Sequence, residues 1–343
     1  MRDVAERAGV SISTVSHVVN DHRTARISAT TRDRVRQAAS DLGYRQNLMA
    51  KNLVKGTSHL IGLVADSIAS TPFAGQIIRG AQEAAWARGY VLLVANTEGD
   101  EGAENDAITM MLEHNVAGIL YSTWYHHATE LPAALRDTAT VLVNCFAAGT
   151  DIPAVVPDEV DGGRTATGVL LDAGHERIAF ANTVAEAPAR KGRLKGYRDA
   201  LEAAGLEYDP SLVFGTQPDQ EGGYEVAAQI LDSGASALFC HNDRVAMGVY
   251  DALRDAGLHV PADLSVVGFD NQDVIAAHLR PPLTTVALPH YELGAQGVQR
   301  LLEGLTLQGS GGATRANSSD AMHDQITRIM CPPVMRRSVS TRP

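Results

Sequence analysis

The chain has 343 residues, 45% of them apolar, a formal net charge of −11 and three cysteines. That length predicts two or three folded units with enough apolar material for their cores, and cysteines so few and so widely spaced exclude a disulfide framework or a paired-cysteine metal site. An evenly acidic surface would also exclude a nucleic-acid partner. The charge is not even, however: of 29 Lys and Arg and 40 Asp and Glu, ten and five fall in Met1–Ser58, leaving 19 and 35 for the rest. A basic head on an acidic body is repelled by a polyanion everywhere except at the head. Cys145, Cys240 and Cys331 lie in or beside apolar runs and read as buried free thiols. No apolar run reaches the about eighteen residues of a membrane span, and Met1–Arg7 lacks the apolar stretch of a secretory signal, so a cytoplasmic protein is expected.

In chain order, Val4, Ala5 and Ala8 repeat at helical spacing and stop at Gly9, the residue that most readily ends a helix in the left-handed region. Ser11 then caps a second helix carrying Val15, Val18 and Val19, and Ser28 opens a third whose Val35, Ala38, Ala39 and Leu42 mark a buried face closed by Gly43. Asn47–Gly56 is apolar and basic but shorter than the about 12 to 15 residues that hold a helix alone in water, so it reads as a conditional hinge helix. From Leu60 short apolar runs alternate with amphipathic stretches: Leu60–Ala65, Tyr90–Ala95, Ala117–Tyr121 and Thr140–Val143, then Arg177–Ala181, Ala235–Cys240 and Leu264–Phe269. Two such series predict two α/β lobes with parallel sheets and a cleft between them. Gln308–Ser319 reads as a surface loop and Ile326–Met330 as a closing strand.

The string from Asp3 to Asn20, with its two short helices, three-residue turn and Ser11 cap, resembles the helix-turn-helix of the lactose-repressor family of bacterial regulators. The resemblance implies that Ile12, Ser13 and His17 read base edges, that Ser11, Thr14 and Ser16 make phosphate or capping contacts, and that Asn20 and Arg23 belong to the same DNA-binding set. Two departures stand out. The family pattern places a few residues ahead of Asp3, so a start upstream of Met1 is expected, and the Asp21–Ile27 loop, with Arg23 and Arg26, is about two residues longer than usual. The hinge continues the likeness through Leu42–Asn47 and Ala50–Leu53, with Gln46 where Pro is common. By that likeness Arg45, Asn47 and Lys51 contact DNA and Leu53 wedges into a minor-groove base step; the rival reading packs Leu53 on the body.

The resemblance extends over essentially the whole chain, through Arg193–Tyr197, Asn242–Asp243, Val266–Asn271 and Pro282–Val286. It implies a periplasmic-binding-protein-like body whose effector site includes Phe73, Asn144, Arg193, Asn242 and Asp270. Chemically, Asp270 can accept from ligand hydroxyls beyond the carboxyl end of its strand, Arg193 can donate a planar fork, and Asn242 can do both; Arg193 and Asp270 can equally pair with each other or the scaffold. Trp124 and Tyr125 can stack on a sugar or sit on a surface loop. His126–His127 lack a third ligand nearby, so no metal is expected, and no cofactor either. Ala187 and Ala189 stand where a purine-binding member has polar contacts, which disfavours a purine; a sugar or sugar derivative is the effector that the family resemblance, more than any residue, implies.

The expectation is therefore a transcriptional regulator of repressor type, a homodimer on operator DNA with two-fold related half-sites. Residues 1–45 form the reader, 46–57 the hinge and 58–343 the two-lobed effector and dimerisation domain, with lobe 1 at about 58–157 and 289–320 and lobe 2 at about 158–288 and 321–343. No C-terminal leucine heptad marks a tetramer. A transport-type sugar-binding protein fits the lobes but not the basic head. An α/β enzyme finds no GxGxxG after a strand, phosphate loop, GxSxG or paired-His motif to support it.

Overall fold

In the computed structural model Val4, Ala5 and Ala8 are the buried stripe of α1 (Arg2–Ala8), which Gly9 ends at φ 63°. Ser11 accepts the Thr14 N–H at 3.2 Å to start α2 (Ile12–Val19), and Ser28 accepts that of Thr31 at 3.2 Å to start α3 (Ala29–Asp41). Val4, Ala8, Val15, Val18, Val35 and Ala38 close one small core among the three helices. Leu42, expected on that face, is 45% exposed, because the helix stops at Asp41 and Leu42 falls in the cap. The structure describes residues 1–20, 25–44, 58–71, 74–309 and 325–342. The chain falls into two units, Met1–Ser58 and His59–Pro343. The expected hinge at 46–57, Arg23, Arg45, Asn47, Lys51, Leu53 and Phe73, and most of the expected 308–319 loop, lie outside the described residues.

The second unit is built on two six-stranded sheets. The first contains β1 (Leu60–Ala65), β2 (Val91–Asn96), β3 (Ile119–Ala128), β4 (Thr140–Phe146), β5 (Ala154–Pro157) and β11 (Ile326–Ile329), in the order β11-β5-β4-β3-β1-β2, all parallel. The second contains β6 (Ile178–Thr183), β7 (Val213–Thr216), β8 (Ala237–Cys240), β9 (Ser265–Asp270), β10 (Thr284–Ala287) and β12 (Pro333–Val334), in the order β12-β10-β9-β8-β6-β7, with β12 alone antiparallel. The continuous apolar runs arise because helices cover both faces. Ile61, Leu63 and Ala65 of β1 enter one core and Val64 the opposite one.

Around the first sheet pack α4 (Gly75–Trp86), α5 (Glu101–Glu113) and the long α11 (His290–Gly309). Around the second pack α6 (Glu159–Asp172), α7 (Pro188–Ala203), α8 (Gln220–Asp232), α9 (Asp243–Asp255) and the single turn α10 (Asp273–Ala276). The chain passes between the sheets three times, after β5, after β10 and after β11. The last crossing corrects the expectation that 321–343 belongs wholly to lobe 2. Ile326–Ile329 pairs in register with Ala154–Pro157 of the first sheet, and only the residues beyond it join the second. An apolar run does not state which sheet edge it will extend; the open edge of β5 decides.

Two helix contacts bear on the site. A Cβ on Gly192 would lie 2.5 Å from the Glu159 Cβ, and one on Gly196 would lie 2.1 Å from the Val160 carbonyl oxygen. Glycine at these two positions lets α7 approach the first turn of α6 more closely than any side chain permits.

Candidate DNA-reading helix and ligand cleft

With Val15 and Val18 turned into the core, helical spacing leaves Ile12, Ser13 and His17 exposed on the other side of α2, with Ser16 and Asn20 half-buried along the same edge. Ser11 Oγ is engaged with Ser13 and Thr14 hydroxyls at 2.7 and 2.9 Å, and the Asn20 amide donates to the Ser16 carbonyl at 2.8 Å. Ile12, 49% exposed at the helix start, presents an alkyl group of the kind that meets a thymine methyl, while Ser13 and His17 present donors and acceptors.

The second unit holds a cleft of about 320 Å³. Its walls come from both sheets: Trp124, Tyr125, His126 and Asn144 at the ends of β3 and β4, and Thr183, His241, Asn242 and Asp270 at or beyond the ends of β6, β8 and β9. Ligands of open parallel sheets lodge at such carboxyl ends. Ala185, Ala187, Ala189, Pro218 and Leu288 supply the apolar part. A smaller hollow of about 240 Å³, lined by His290 and Tyr291 among others, adjoins it through Asp270 and Leu288.

Arg193, on α7, is the centre of the charge distribution. Its Nε donates to Glu159 Oε2 at 2.8 Å, its Nη1 donates to the His241 carbonyl and lies 3.8 Å from Asp270 Oδ1, and its guanidinium covers the Phe269 ring at 3.6 Å. Glu159 also meets His126 Nδ1 at 3.3 Å. Burial opposes the Glu159 charge, but the Arg193 and His126 partners outweigh it and hold the carboxyl down at about 2. Burial pushes the Asp270 carboxyl up, with Arg193, Gln272 and Arg244 working against it. His241 is held neutral by burial and by neighbouring Arg193.

Arg193 and Asp270 thus pair with each other and with the scaffold while both still line the cleft. Asn144 and Asn242 also reach it, but much of their amide capacity is already used. Asn144, at φ 61°, donates to the Thr123 carbonyl at 2.9 Å; Asn242 accepts the Val245 N–H at 2.9 Å as the cap of α9 and donates to the Pro218 carbonyl at 3.0 Å. Trp124 and Tyr125 belong to the strand rather than to a loop after it, because β3 continues past a register shift between Ser122 and His127. Their rings meet edge to face at 4.8 Å, and Tyr125 stacks on His127 at 4.2 Å, which makes one rim aromatic.

Sequence reading missed Glu159, His126 as a carboxylate partner, His241, Thr183 and Arg244. Asp158-Glu159 reads as an ordinary acidic helix start, and Asp158 does cap α6. The one available signal was Arg244, directly after the Asn242-Asp243 motif. All three thiols are buried and free, and burial raises their pKa, that of Cys145 to about 12. Among the described residues no cluster of three or more His, Cys, Asp or Glu could hold a metal, and no helix is long and apolar enough to cross a membrane.

Residues 1–47 match the family model of bacterial regulatory proteins, lacI family, and residues 167–339 that of a periplasmic binding protein-like domain. The HTH-type transcriptional regulator DegA of Bacillus subtilis (strain 168) is 37% identical over 300 residues, covering 86% of this chain and 88% of that protein. The ribose operon repressor of Escherichia coli (strain K12) is 34% identical over 311 residues, covering 89% and 93%. The crystal structure of the lac repressor dimer bound to operator and the anti-inducer ONPF superposes with a TM-score of 0.76 at 27% identity, over 98% of both chains.

Proposed function

Because this chain belongs to the lacI family of bacterial regulatory proteins, it is a DNA-binding regulator of transcription rather than an enzyme, and we propose how its residues divide that work. Ile12, Ser13 and His17 read base edges in the major groove, and Ser11, Thr14, Ser16 and Asn20 hold the helix and the phosphates around it. Arg23, Arg45, Asn47 and Lys51 add contacts to the DNA, and Leu53 of a hinge at 46–57 enters a central base step. The protein acts in the cytoplasm as a repressor, dimeric on two-fold related half-sites, as the lac repressor relative is dimeric on its operator.

The effector is a sugar or sugar derivative held in the cleft by Arg193, Asp270, Asn144 and Asn242, with Trp124 against its apolar face and Phe73 as a further wall. The observation that carries this reading is the cleft itself. Aromatic rings and alanines share the lining with a buried, hydrogen-bonded set of charges, the combination that takes a hydroxylated ligand with a flat apolar side. The similarity to a ribose operon repressor supports the ligand class.

Selection of random duplexes on the purified full chain, repeated with a panel of sugars, tests both halves. A two-fold related sequence whose affinity changes with one sugar is expected; a selected sequence without two-fold symmetry would remove the dimeric-operator reading.

A further inference from the structure

One hydrogen-bond donor in the cleft has no partner among the described residues. Arg193 is matched by Glu159 and Asp270, and Glu186 by Arg190 and Lys191. Arg244, in the first turn of α9, also lines the cleft, yet it has no hydrogen bond or ion pair among the described residues. Its Nε is moreover shielded from solvent without a partner. A donor buried in this way costs free energy unless a partner arrives, and the residue that carries it lines a ligand cleft.

Resting on the reading of the cleft as the effector site, we propose that Arg244 receives a carboxylate of the effector, so that the ligand is a sugar acid and not a neutral sugar. The planar guanidinium offers paired N–H donors, matched by the two oxygens of a carboxylate. A phosphate dianion suits the place less well: one positive charge faces it, while the carboxylates of Glu159, Glu186 and Asp270 line the same cleft. The hydroxyls of the sugar acid then meet the remaining polar lining, and its ring the Trp124 side.

The test uses the full chain and matched pairs by titration calorimetry: D-galacturonate with D-galactose, D-glucuronate with D-glucose, D-gluconate with D-glucitol, and D-glucose 6-phosphate as the phosphate arm. One acid is expected to bind more tightly than its neutral partner. Arg244→Gln should weaken that acid about 10- to 100-fold, with circular dichroism and the thermal unfolding midpoint showing the variant to be folded. Arg244→Lys, which keeps the charge without the planar fork, should fall between. A neutral sugar that binds as well as its acid, with no effect of Arg244→Gln, overturns the role of Arg244 and leaves the sugar-effector reading intact. Tighter, Arg244-dependent binding of the phosphate overturns the carboxylate assignment. No binding by any member of the panel removes the sugar-effector reading and this assignment together.

Discussion

Arg193 Nε and Glu159 Oε2 lie 2.8 Å apart between two helices, with both side chains at most 5% exposed. Neither charge has water to fall back on, so each depends on the other. Arg193→Ala or Glu159→Gln alone is expected to cost about 3–5 kcal/mol of unfolding free energy, and the double variant clearly less than the sum. Urea unfolding of the four proteins closes the cycle. Additive losses would show that the pair is not coupled.

The approach of α7 to α6 is set by backbone, so it can be disturbed without touching either charge. Gly196→Ala places a methyl 2.1 Å from the Val160 carbonyl oxygen and must push the helices apart. We expect a loss of about 1–3 kcal/mol together with weaker effector binding, whereas Gly168→Ala on α6, where a Cβ meets nothing, should be harmless. Equal behaviour of the two variants would contradict the close-approach account.

Acid should weaken the protein before Glu159 titrates. Burial holds His290 at about 4, below its ordinary 6.5. Between those values the unfolded chain takes up a proton that the folded chain refuses, so stability is complete above about 6.5 and is lost as the pH falls toward 4. Glu159, held at about 2 against an ordinary 4.5, contributes above 4.5 and loses its share only between 4.5 and 2. Unfolding midpoints measured from pH 7.5 to 4.5 should fall less steeply in His290→Gln than in the parent chain. Parallel curves would assign the acid sensitivity elsewhere.

At the DNA-reading helix, exposure predicts which losses are sequence-specific. Ser13→Ala and His17→Ala should each weaken operator binding by about 1–3 kcal/mol and leave random DNA nearly unaffected. Arg45→Ala or Lys51→Ala should lower affinity for both and flatten its salt dependence. Fluorescence anisotropy on the two duplexes at several salt concentrations separates the outcomes; equal losses on both from His17→Ala would remove its base-reading role.

The three-helix head, its Gly9 stop, its Ser11 and Ser28 caps and most of the strand runs were legible in the sequence because each depends on residues a few positions apart. So was the placement of Arg193, Asn242 and Asp270 at the cleft, since strand ends and the family pattern both point there. The strands Ala154–Pro157 and Val213–Thr216 escaped notice: the first is bounded by Pro153 and Pro157, and in the second only Val213 and Phe214 precede Gly215, so turn residues break up both apolar runs. What the side chains do was decided by tertiary structure alone. Asn144 and Asn242 give much of their amides to backbone groups that other strands and loops bring beside them. Glu159 stands 34 positions from Arg193 and looks like an ordinary helix-start acid until two glycines bring α7 against it. Spacing reports the period of an element and the face it buries. Which charge meets which is settled where separate elements close on one another, and one-dimensional spacing carries no record of that distance.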